Sequence, residues 1–334
     1  MNDTILNELL VAAREHAGGE GTEPLRRLSN AFLTRARADP TMLKAAAEAL
    51  PTLPPAAAAW IAVLLGAAIE TGTGVELTAP GIVRVFLSWL PKLPTPPPVK
   101  YEEGVELPEP TPEQAPWLEA FPDFCRSVVS HLARMPEQRT ALARDEDLLA
   151  RLECLEPYTH GATWVREMLM RSSGTLIILH AASGRGFKLH YRDVARCFHL
   201  FSLIQIAIGT RLPDGREPDP AVVAAVRGDS RENVSDVAWW HYGDPRSKAA
   251  NLQASIWGEA MTRSIPVVNG AQVMLLWPPL LQSRSWSHAF FGPHLDALPA
   301  DVSIEEELSP ESVQSWLETL GVKSRSHRRW WWPW

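Results

Sequence analysis

Cysteine is scarce in this chain of 334 residues: Cys125, Cys154 and Cys197 are far apart, odd in number and in no CxxC pattern. That excludes a disulfide framework and a zinc ribbon, and leaves reduced thiols as the expectation. Long apolar runs are missing too. The longest, Ala56 to Ile69, has fourteen residues, half of them alanine, and ends on Glu70, whereas a bilayer span needs about 20. It reads as a buried helix. The first twenty residues carry acids early and no basic cluster ahead of an apolar stretch, so no secretory leader is expected and the expected compartment is the cytoplasm. No HExxH, GxSxG, Walker A or GxGxxG string occurs. The chain therefore offers no signature of metalloprotease, serine hydrolase or nucleotide chemistry, and no cofactor is expected.

Positive charge is in deficit overall, with a formal net charge of −7. It is concentrated in one place. From Lys323 to Trp334 there are four basic residues and no acid, so this segment carries +4 and the preceding 322 residues carry −11. The same segment, KSRSHRRWWWPW, holds Arg328, Arg329, Trp330, Trp331, Trp332 and Trp334. Indole rings here have no local way to hide, and Pro333 interrupts any helix. An exposed cluster of this kind is an aggregation liability unless something covers it.

The rest of the chain divides by pattern. Stripes of apolar residues predict a helical domain over 1–91: Ile5, Leu6, Leu9 and Leu10, then Leu25, Leu28, Phe32 and Leu33, then helices over 41–50, 54–70 and 81–90, each closed by Pro or Gly. A HEAT-like stack and a plain bundle both fit. Residues 92–116 are rich in proline and acid and predict an extended linker. An α+β domain is expected over 117–322, led by helices near 117–135 and 137–155 that fit either side of the linker. A hairpin is expected over 175–191, a helix over 194–208, a second hairpin at Asn269-Gly270, and a helix capped by Ser309 and closed by Gly321. A flexible tail over 323–334 completes the expected α+β architecture.

Two constellations could carry chemistry. His180, His190 and His199 fall in one strand-turn-strand-helix unit, but their spacing is unspecific, and Cys197 and His199, two apart on a helix, point to roughly opposite sides. Structural histidines are the expectation and no metal site is assigned. WWHYGDPRSK places Trp239, Trp240, His241, Asp244 and Arg246 close together. Flat rings beside charged groups would line a ligand pocket; the alternative is a strand whose rings divide between core and surface.

The strings SGRGF, CFHLFSLIQ, IPVVNGAQVMLLWPP and RSW together resemble a bacterial protein family with a helical N-terminal region and such a C-terminal domain. That resemblance implies the architecture and no activity. The segment 323–334 resembles the indolicidin-type peptides, in which Arg, Trp and Pro are mixed to bind membranes. These readings converge on a non-catalytic interaction or carrier protein that offers its Arg/Trp segment to a protein partner, since Trp and Arg dominate interface hot spots. A substrate of a peptide-modifying enzyme is the first alternative, and an enzyme with a site near His180, His190, His241 and Asp244 the second. An anionic membrane is a weaker fit than a protein groove, because the body is acidic. Nucleic acid is not expected, because four charges release few counterions.

Overall fold

A computed structural model describes residues 4–15, 21–95, 107–212, 215–230, 232, 234, 240–281 and 296–322. The chain separates into two compact units, Met1–Leu169 and Met170–Trp334. The fold class is α+β, with a helical region first and a mixed sheet second. The division falls later than the Pro-rich segment, so the helices expected to lead the α+β domain from residue 117 belong to the first unit. Their apolar faces explain this: Phe121, Phe124, Val128 and Leu132 are fully buried there.

The first unit is built from α1 (Thr4–Arg14), α2 (Glu23–Ala38), α3 (Thr41–Ala49), α4 (Pro55–Glu70), α5 (Val75–Trp89), α6 (Ala115–Arg134), α7 (Pro136–Leu142), α8 (Glu146–Leu155) and α9 (His160–Met170). The hairpins α1–α2, α3–α4 and α5–α6 stack so that α3 lies beside α5, and α4 lies between α2 and α6. Small residues set the closeness of the central pair. A Cβ on Gly66 of α4 would sit 3.2 Å from the Ser127 Cα of α6, and Ala58, Ala59 and Ala62 are buried along α4. Arg134 of α6 closes the far end by donating to both oxygens of Glu70, at 3.1 and 2.9 Å.

A repeated punctuation marks this stacking. Leu50-Pro51-Thr52-Leu53-Pro54 and Leu90-Pro91-Lys92-Leu93-Pro94 each form a 3₁₀ turn after a helix. Leu53 N–H donates to Leu50 O at 3.2 Å, and Leu93 N–H to Leu90 O at 3.3 Å. In both, proline removes a donor and ends the helix, while the flanking leucines stay in the core. Arg151 of α8 ties down the second copy, donating to Leu90 O and Leu93 O at 2.8 and 2.9 Å. α5 begins earlier than its expected start near Gly81: Gly74, at φ 74°, starts the helix, and Pro80 sits inside it.

The second unit holds a six-stranded mixed sheet, from β1 (Ser172–His180), β2 (Arg185–Val194), β3 (His241–Gly243), β4 (Val267–Val268), β5 (Ala271–Trp277) and β6 (Asp301–Glu307). The order is β3-β5-β1-β2-β6, with β4 paired to β5; β5 runs parallel to β1 and the remaining pairs are antiparallel. Strand alternation feeds two cores. Leu176, Ile178, Phe187, Leu189, Met274 and Leu276 pack beneath α10 (Cys197–Ile208) and α11 (Pro220–Arg227). Ile177, Leu179, Val273 and Leu275 face α12 (Pro310–Thr319) on the other side. The sheet is thus covered on both faces.

Local signals behave as their chemistry requires. Asn269 and Gly270, at φ 49° and 80°, make the left-handed pair of a two-residue hairpin. Ser309 caps α12 by accepting from Ser312 N at 3.2 Å. The helix then ends in a Schellman closure: Gly321 at φ 66° donates to Glu318 O at 3.0 Å, and Val322 N–H donates to Leu317 O at 2.9 Å. Val322 and Leu317 are both buried in the same core.

Candidate functional site

Among the residues singled out from sequence, Trp239, Arg328, Arg329, Trp330, Trp331, Trp332 and Trp334 lie outside the described residues. The others in WWHYGDPRSK divide between different surroundings. Trp240 and Tyr242 enter the core under α10, where the Tyr242 ring stacks on Phe201 with centroids 3.7 Å apart and its hydroxyl donates to Phe201 O. His241, between them on β3, is buried with its Nδ1 3.4 Å from Ser255 Oγ. Asp244 and Arg246 bind each other: Arg246 N and Nε both donate to Asp244 Oδ1, at 2.8 and 2.9 Å. The Arg246 side-chain bond holds the Asp244 carboxyl below the usual range.

The histidines are likewise separated. In the β1–β2 register His180 faces Arg185 and His190 faces Thr175, at opposite ends of the hairpin. His180 is buried and bonded through Nδ1 to Ser183 Oγ at 2.7 Å, in the turn that follows it. His190 is half-exposed beside Glu305 of β6. His199 Nε2 donates to Val226 O at 3.0 Å, joining α10 to α11. Burial pushes the Cys197 thiol up to about 12, which removes it as a thiolate nucleophile at neutral pH. No group of three or more His, Cys, Asp or Glu is placed to hold a metal among the described residues.

The feature with the geometry of a binding site lies in the helical unit, where sequence reading looked only for scaffold. A cleft of about 630 Å³ opens between α2, the first turns of α4 and α6, within the range of ligand-sized clefts. Pro54, Pro55, Ala56, Ala59 and Trp60 are among its lining residues. The Trp60 ring is held in place. Its indole N–H donates to Ser29 Oγ at 3.0 Å, and Ser29, itself buried, donates on to Leu25 O at 2.8 Å. The chain at Gly21 passes so close that a Cβ there would lie 2.3 Å from the ring, so only glycine fits without displacing it.

The charges at the cleft are unequal in standing. Arg126 is paired with Asp123 at 2.9 Å, both from α6, and Arg26 with Glu23 at 3.1 Å on α2. Glu119 of α6 also lines the cleft, is exposed and has no bonded partner among the described residues. The same holds for the carboxamide of Asn30 on α2. The sequence did contain a signal: Trp60 stands among Ala56 to Ala59 and Ala62, and a large ring surrounded by methyl groups leaves unfilled volume beside it. No family model, curated protein or solved structure matches the chain.

Proposed function

We propose that this is a non-catalytic interaction or carrier protein that presents its Arg/Trp segment, Lys323–Trp334, to a groove on a protein partner. The observation that carries this reading is the Schellman closure at Val322: the last described core residues of the second unit are Leu317 and Val322, and both Schellman bonds close the helix there. The segment that follows concentrates four Trp and +4 of charge next to a body of −11. Trp and Arg supply large contact area and directed hydrogen bonds, which suits a shaped groove. The acidic body disfavours an anionic lipid surface. Among the described residues no helix is long and apolar enough to cross a membrane; we place the protein in the cytoplasm as part of the same proposal.

A pull-down from native lysate, with the full chain and a version ending at Val322, tests the reading. A partner retained equally by both versions removes its support. Changing Arg328 and Arg329 to Lys keeps charge but loses bidentate bonding. It should weaken a groove complex by about 1 kcal/mol per lost contact and leave binding to anionic vesicles unchanged. Equal vesicle binding by both versions, with no protein partner found, would favour the membrane instead.

A further inference from the structure

We propose that the cleft between α2, α4 and α6 is a peptide groove, and that its occupant is an extended segment of a partner protein carrying a lysine or arginine next to an apolar residue. This goes beyond the role of the Arg/Trp segment and does not depend on it. The cleft crosses the second helix of each of three stacked hairpins, α2, α4 and α6, with α4 at its centre. Such stacks present elongated surfaces across their helices, which suit an extended chain better than a compact ligand. Its apolar part is preformed: Trp60 is fixed through Ser29 and by the approach of Gly21. A ligand side chain laid on Pro54, Pro55 and Trp60 therefore meets a surface with little ordering cost.

Polar groups at the cleft specify the rest. The guanidinium groups of Arg126 and Arg26 already have carboxylate partners, Asp123 and Glu23. Glu119 is the charged lining residue left without one among the described residues. An apolar side chain laid against Glu119 would partly desolvate its carboxylate without compensation, and an acidic one would repel it. A Lys or Arg satisfies it. Across the cleft, the carboxamide of Asn30 carries both a donor and an acceptor. That pair matches the C=O and N–H of one peptide unit, and so favours a chain over a simple amine.

The test is a display library of random 12-residue peptides, panned on the full chain and in parallel on a Glu119→Lys variant. Glu119 is exposed and has no partner among the described residues, so an unchanged melting temperature should establish that the variant folds. Peptides from the wild type should carry a basic residue beside an apolar one, and those from Glu119→Lys should carry an acid at that place. For one synthetic peptide, replacing the basic residue by norleucine should weaken binding about 5-fold on the wild type and have no effect on Glu119→Gln. Absence of any enriched motif, a motif without basic residues, or equal norleucine effects on both proteins would overturn the proposal.

Discussion

Trp60 of the helical unit and Trp240 of the α/β unit are the same side chain in opposite surroundings. Trp240 is 2% exposed and packed under α10 among Tyr242, Phe201 and Ile204. Trp60 is half-buried, hydrogen-bonded at its nitrogen, and faces alanine and proline across an open cleft. The contrast teaches that an aromatic cluster in sequence does not mark a site by itself. In the α/β unit large neighbours close around the ring and it becomes core. In the helical unit small neighbours leave the ring lining a cleft while a hydrogen bond holds it still, and that combination gives a surface for a ligand.

The largest expected effect sharpens this contrast. Trp240→Ala should cost about 3–5 kcal/mol in chemical denaturation, as removal of a fully packed ring leaves a cavity that the sheet and α10 cannot fill. Trp60→Phe, which keeps an aromatic ring and loses the bond to Ser29, should cost about 1 kcal/mol. Comparable losses for both would mean that Trp60 is a packing residue and that the contrast is false.

A second difference concerns buried histidine. His131 of α6 is fully buried in the helical unit; its Nδ1 donates to Ser127 O at 2.7 Å, so its Nε2 accepts from Thr78 Oγ1 at 2.8 Å. These two bonds suit the neutral ring. Burial pushes its pKa down to about 4; the Ser127 carbonyl and Glu70 oppose the shift, and Arg134 assists it. The unfolded chain takes up this proton near pH 6.5 and the folded chain does not. Stability from this group is therefore complete above pH 6.5 and is lost as pH falls toward 4, by about 3 kcal/mol in all. Denaturation of wild type and His131→Gln across pH 4 to 7 checks it. Gln can still donate to Ser127 O and accept from Thr78, and the pH-dependent part should vanish; an unchanged slope would show that other groups carry it.

The legibility of the two units followed the range of the forces involved. The Asn269-Gly270 hairpin, the β1–β2 hairpin and the Ser309 cap were readable because each is decided within a few residues by φ preference or side-chain hydrogen bonding. The strand β6, DVSIEEE, was not recognised, because four acids in seven residues suit a sheet edge and make sense only beside Arg185 and Lys188 of β2. The parallel β1–β5 pairing joins segments about ninety residues apart, beyond any local signal. In the helical unit the repeated Leu-Pro-x-Leu-Pro was present to be read, and would have pointed to stacked hairpins. Of the cleft, only the Trp60 ring among alanines showed locally; its other walls depend on which faces of three helices meet.

A smaller effect tests whether the second unit depends on its local caps as the first depends on its 3₁₀ turns. Ser309→Ala removes the acceptor for Ser312 N and should destabilise the α/β unit by about 1 kcal/mol. Ser309→Gly should cost only a few tenths of that figure's unit, because glycine leaves the first turn accessible to water. Equal losses for the two would mean that the side-chain bond is not what holds the start of α12.

The smallest effect expected is that of removing Lys323–Trp334. The second core is sealed by Val313, Leu317 and Val322, and the last carbonyls of α12 are bonded to Gly321 and Val322. A version ending at Val322 keeps every one of these groups, so its melting temperature should stay within about 2 °C of the full chain, corresponding to a change under about 0.5 kcal/mol. Its solubility should rise, because four indole rings are removed. Ending instead at Leu320 deletes Gly321 and Val322, breaks both bonds of the closure and uncovers Leu317. That version should melt several degrees lower. The ordering of these two truncations separates a closure complete at Val322 from one that needs the rings beyond it. If the longer version were also strongly destabilised, the tryptophans would be packing on the body, and the proposal that they serve a partner would lose its basis.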